Sequence, residues 1–122
     1  MKKVYVTGQL KGTSKDKTRH NRHALSLVCR NILLTDNIPV CPILSSEDWY
    51  LDPRLPSSDD WWVNNYLIEF IKDCQEFCYI PLPPGVYNNR VDKEMRFWRA
   101  IGSGVFIPSH NVVKILLGVD ND

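Results

Sequence analysis

Residues 3–34 read KVYVTGQLKGTSKDKTRHNRHALSLVCRNILL, and three kinds of chain follow one another within them. KVYVT, residues 3–7, is rich in β-branched and aromatic side chains and stops at Gly8, where the backbone can turn sharply or come close to a ligand. From about Arg19 to Leu34, the residues Ala24, Leu27, Val28, Ile32 and Leu33 recur at helical spacing, with Arg22, Ser26 and Arg30 on the other face. A strand, a loop of Gly, Ser and Lys, and an amphipathic helix in that order open a βαβ unit.

The alternation continues downstream. Asp36-Asn37 makes a turn, and IPVCPIL from Ile38 is a short apolar run whose prolines suit a strand end or an edge strand. Residues 45–58, SSEDWYLDPRLPSS, follow neither helical nor strand spacing and read as a long loop of the kind that often binds or covers a ligand. Asp59 or Asp60 can cap a helix through WWVNNYLIEFIKDC, where Trp62, Tyr66, Phe70 and Cys74 form one stripe. FCYIPL reads as a third strand, PPGVYNNRVD as a loop, and KEMRFWRAIG as a short helix closed by Gly102. GVFIP is expected to be a fourth strand and HNVVKILLG a last helix. The whole predicts a single α/β domain over residues 1–122, with a Rossmann-like (flavodoxin-like) open parallel sheet of four to five strands and helices on both faces. Ligands of such sheets bind outside the carboxyl ends of the strands. The candidate site therefore comprises Gly8 to Lys17, Leu44 to Trp62 and Leu82 to Glu94.

Composition narrows the function. A chain of 122 residues, 43% hydrophobic and 24% charged, can bury one core, and no apolar run is long enough to span a bilayer, so no membrane partner is expected. MKKVYVTG is too short for the core of a signal peptide, which makes a cytoplasmic location the expectation. A net charge of +1 supplies no field for a nucleic acid polymer, whereas the local cluster Lys11, Lys15, Lys17, Arg19 and Arg22 suits a small anion. Cys29, Cys41, Cys74 and Cys78 lack paired zinc spacing and read as reduced thiols in apolar surroundings. His20 and His23 have no companion at metal spacing and read as surface or ligand-edge residues. Neither a metal nor a cofactor is expected.

Three constellations could carry chemistry. GQLKGTSKDKTRHN, residues 8–21, resembles an anion cradle in which glycines expose backbone amides and the next helix contributes its N-terminus, with Gly8, Gln9, Lys11 and Gly12 at its heart. It is not a Walker loop, since GKS or GKT is missing, and a solvated basic loop would look the same. Glu94, two residues beyond Asp92, falls at the predicted ligand edge, where a carboxylate can attack the anomeric carbon of a sugar. The helix dipole favours acidic residues in a first turn even with nothing bound. Trp49, Tyr50, Trp61 and Trp62 surround the long loop, and an exposed member such as Trp61 could stack on a base, while Trp62 on the helical stripe suits core packing.

VYVTGQLKGTSKDKTRHNRHAL, followed in order by DC, FCYIPLPP, a loop, KEMRFWRAIG and GVFI, resembles the nucleoside 2-deoxyribosyltransferase superfamily. The nearest branch is that of the 2'-deoxynucleoside 5'-monophosphate N-glycosidases. The resemblance implies a doubly wound sheet, a homodimer, and a nucleoside or nucleotide ligand with no cofactor. It implies Glu94 as nucleophile, Tyr5 as a helper close to it, and Gly8, Lys11 and Gly12 as the wall around sugar and phosphate; Asp92, two residues before Glu94, is the other group expected to tune it. Two departures stand out. The loop before the glutamate reads YNNRVDK, so Asn88, Asn89 and Arg90 replace the usual Gly and Ser, and Arg90 offers charge where the family offers amides. Asn64, Asn65 or Leu67 stands where the family tends to place an aspartate for the sugar hydroxyl, and Asn65 is the expected ligand contact among them. The leading expectation is an enzyme that cleaves or transfers an N-glycosidic bond. The alternative is a non-catalytic protein that senses or sequesters a phosphate-bearing nucleotide.

Overall fold

The computed structural model describes residues 1–101 and 106–108. Strand β1 (Lys3–Thr7) leads through the Gly-rich loop into helix α1 (Lys15–Leu34), which starts nearer the strand than the apolar spacing alone suggests. Ser14 explains the early start: its hydroxyl accepts from the Lys17 amide at 3.1 Å and caps the helix.

Strand β2 (Ile38–Val40) is shorter than the apolar run IPVCPIL. Pro42 opens a helical turn, α2 (Pro42–Ser45), because a first helical position tolerates the missing N–H that a strand would need. The predicted loop of residues 45–58 also contains one turn of helix, α3 (Glu47–Tyr50), and only the remainder is irregular. The second long helix has three parts: α4 (Asp59–Trp62), a π segment (Val63–Leu67) and α5 (Ile68–Ile71). The predicted aromatic stripe survives this distortion. Trp62 meets Tyr66 edge-on at 5.6 Å, and Tyr66 meets Phe70 at 5.1 Å.

Strand β3 (Glu76–Tyr79), helix α6 (Asn89–Ala100) and strand β4 (Phe106–Pro108) complete the described chain. The expected last helix, with Gly102, lies outside the described residues. The strands form one open parallel sheet in the order β2-β1-β3-β4. Pro39 sits on β2 at the sheet edge, where a missing donor is tolerated.

Alternation along β1 divides the core. Val4 and Val6 pack with Leu25 and Val28 of α1, while Tyr5 packs with Ile71, Phe77 and Trp98 on the opposite face. Helices therefore cover both faces of the central strand, which is why KVYVT is buried almost throughout. No helix among the described residues is long and apolar enough to cross a membrane.

Candidate active site

The site begins where β1 ends. Strands β2 and β3 flank β1, so the chain crosses from one side of β1 to the other between β2 and β3, an arrangement in which ligands bind beside the carboxyl ends of the strands. Helix α6 meets the end of β1 there, through Arg90 to Thr7 and Gly8. It starts at Asn89, four residues before the expected Lys93, because the Asn88 side chain caps it by accepting from the Val91 amide at 3.0 Å. The early start converts Arg90 from a loop residue into a helical one. Arg90 and Glu94 then lie one turn apart on the inward face, and both are almost completely buried.

Arg90 is held from three directions. Its Nη1 donates to Glu94 Oε1 at 2.5 Å and to the Thr7 hydroxyl at 3.0 Å, and its Nη2 donates to the Gly8 carbonyl at 2.6 Å. Its guanidinium carbon also lies 5.5 Å from the centroid of the Tyr50 ring, a cation–π distance. Two polar atoms of the pair, Glu94 Oε2 and Arg90 Nε, have no hydrogen-bond partner among the described residues. In a buried setting that capacity is costly to leave unused.

Opposing forces set the charge on Glu94. Burial pushes its carboxyl above the ordinary range, and the Arg90 guanidinium with the Thr7 and Tyr5 hydroxyls pulls it back, burial prevailing. Burial and the neighbouring Glu94 charge hold the Tyr5 phenol well above its usual pKa. Burial works against the Arg90 cation, yet the Glu94 charge keeps its pKa above normal.

The basic loop forms a second, separate feature. Lys11, Gly12, Ser14, Lys15, Arg19 and Arg22, together with Leu51, line an open cavity of about 600 Å³. Polar side chains of α1 hold the loop in place. The Thr18 hydroxyl accepts from the Gly12 amide at 3.0 Å, and the Asn21 amide donates to the Leu10 carbonyl at 3.1 Å. Gly12 is needed for space: a Cβ there would stand 2.5 Å from that of Lys17. Gly8 is similarly confined, with a Cβ 3.1 Å from that of Ile80, and its own carbonyl serves Arg90.

The expected site residues thus divide. Tyr5, Gly8, Arg90 and Glu94 come together, while Lys11 and Gly12 line the open cavity and the half-buried Gln9 donates to the Lys11 carbonyl at 3.3 Å. Asp92 is not brought to Glu94. It faces outward, pairs with Arg96 at 2.9 Å and accepts from the Tyr87 hydroxyl at 3.3 Å. Asn88 is occupied as the helix cap, exposed Asn89 accepts from Tyr87 at 3.4 Å, and exposed Asn65 donates to the Trp61 carbonyl at 3.0 Å. Trp61 is 42% exposed and remains available for stacking, whereas Trp62 is buried. His20 and His23 are exposed. Among the described residues, no group of three or more His, Cys, Asp or Glu could hold a metal ion.

Two participants were missed in the sequence. Thr7 carries no signal beyond ending a strand, and Tyr50 stood out only as one aromatic among several. The Arg90–Glu94 pairing was available in principle, as an i,i+4 spacing behind an Asn cap. No protein-family model, curated protein or solved structure matches the chain.

Proposed function

We propose that the chain is a doubly wound, flavodoxin-like domain that cleaves or transfers the N-glycosidic bond of a (deoxy)nucleoside or 5'-mononucleotide, with Glu94 as nucleophile. The observation that carries this reading is the division of labour on Glu94. Oε1 is fixed by Arg90, while Oε2 has no protein hydrogen bond and keeps its lone pairs for bond formation. Glu94 is also the one buried carboxylate among the described residues, and it lies where ligands of open parallel sheets bind.

In this reaction Oε2 attacks C1' as the C1'–N bond breaks, giving a glycosyl ester and a base anion that takes a proton from water. Water, or a second base in a transfer, then attacks C1' and returns the carboxylate. Arg90, with the Thr7 and Tyr5 hydroxyls, opposes the rise in pKa that burial imposes on Glu94 and so favours its ionised form. The basic cavity supplies the positive surface for a phosphate, and Trp61 an exposed aromatic face for a base. By resemblance the working unit is a homodimer.

A specific observation favours a second reading, a non-catalytic nucleotide-binding protein. Glu94 is wholly buried and paired with Arg90, so a sugar reaches it only if Tyr50 or its neighbours move. Incubation with a panel of nucleosides and 5'-mononucleotides separates the two. Free base on chromatography supports the enzyme; a raised melting temperature without free base supports the binder; neither response rejects both.

A further inference from the structure

The four cysteines are of two kinds. Cys74 and Cys78 are buried, in the cores on opposite faces of the sheet. Cys29 and Cys41 are only half-buried, and both pack against the α1-side core. One lies on α1, and the other directly follows β2. Both line the same open cavity, about 360 Å³ in volume, with Pro42, Leu44 and Phe70 among its other walls. Reagents in solution can therefore reach a space that both cysteines line. The two side chains are also close enough for each thiol to act on the ionisation of the other.

We propose that Cys29 and Cys41 are a redox-active thiol pair, which a hydroperoxide oxidises to an intramolecular disulfide joining α1 to the end of β2. The first step is attack of the Cys29 thiolate on the peroxide O–O bond. It gives a sulfenic acid on Cys29, and the departing oxygen takes up a proton to leave as an alcohol, or as water from hydrogen peroxide. The Cys41 thiol then attacks the Cys29 sulfur. The S–S bond forms, the S–OH bond breaks, and hydroxide leaves with the Cys41 proton as water. The pair loses two electrons, and the peroxide gains them.

The environments assign these roles. The neighbouring Cys41 thiol lowers the pKa of Cys29, favouring the attacking thiolate. Cys29, with burial, raises the pKa of Cys41 well above normal and keeps it a proton-bearing thiol until the second step. The proposal is independent of any glycosidic chemistry, although Cys41 is close enough to Tyr5 and Glu94 for their charges to act on one another.

The test uses the full-length chain, reduced and then titrated with hydrogen peroxide. Remaining thiols are blocked, and the chain is digested without reduction and mapped by mass spectrometry. The expected map contains a Cys29–Cys41 cross-link that appears before Cys74 or Cys78 is modified and disappears on treatment with dithiothreitol. A map without that cross-link, at every peroxide concentration that leaves the chain folded, overturns the proposal. Dimedone should label Cys29 in peroxide-treated Cys41→Ser, where no resolving thiol remains. An unlabelled Cys29 in that folded variant overturns the assigned order of attack.

Discussion

The two charged regions at the carboxyl edge of the sheet obey different physics. Beneath Tyr50, Arg90 and Glu94 have left water almost completely, so each depends on the other and on Thr7 and Gly8 for its charge to survive. Around the 600 Å³ cavity, Lys11, Lys15, Arg19 and Arg22 remain exposed, and the pairs that Arg19 makes with Asp16 and Arg22 with Glu47 are screened by solvent. Proximity to a site therefore does not set what a charge contributes; desolvation does. The buried pair governs folding and the chemistry of one carboxylate, while the exposed cations of the open rim can be altered with little loss of stability and act on what arrives from solution.

The largest effect should come from splitting the buried pair. Arg90→Met leaves Glu94 without its counter-charge and should cost about 3–5 kcal/mol at neutral pH, measured by urea unfolding. The further change Glu94→Leu should recover most of that loss, since an apolar pair needs no compensation. The loss in Arg90→Met should also depend on pH. The folded pKa of Glu94 already lies above its ordinary value, and without Arg90 burial raises it further. A group with a raised folded pKa supports the fold below its unfolded pKa and loses that support as pH rises through the folded one. The variant should thus approach the parent in mildly acidic buffer and fall away from it as pH rises. A pH-independent gap would show that Glu94 is not carrying the charge.

Changes at the rim should be smaller. Gly12→Ala forces a Cβ against Lys17 and should cost roughly 1–3 kcal/mol through displacement of the loop. Ser14→Ala removes the α1 cap and should cost about 1 kcal/mol. Lys11→Ala and Arg19→Ala should alter stability by less than about 0.5 kcal/mol while weakening the binding of a 5'-mononucleotide in low salt. Calorimetric titration of both variants would check this, and equal affinity for nucleoside and nucleotide in the parent would remove the cavity from the account.

The contrast also explains what could be read in the chain beforehand. β1 and α1 were legible because Val4 to Thr7 and Ala24 to Ile32 follow spacings that burial enforces. The edge of β2 and the start of α6 were not, since Pro42 and Asn88 suit a loop as well as the first turn of a helix. That ambiguity hid the site more than the fold. With α6 begun at Lys93, Arg90 looked like a loop cation for phosphate and Asp92 like a neighbour of Glu94. With α6 begun at Asn89, Arg90 turns inward beside Glu94, and Asp92 turns out to Arg96. The basic cavity, by contrast, was visible as composition alone, because exposed charges need no particular partner.

The central claim is that the Glu94 carboxylate attacks C1', and the most direct test is base release by Glu94→Gln on whichever nucleoside or nucleotide the parent cleaves. The substitution retains the shape of the side chain while removing its charge. The account predicts a destabilised but still folded protein, retained ligand binding, and a rate of base release lower by about a thousandfold or more. Base release at the parental rate would contradict it, and so would a parent chain that frees no base from any member of the panel.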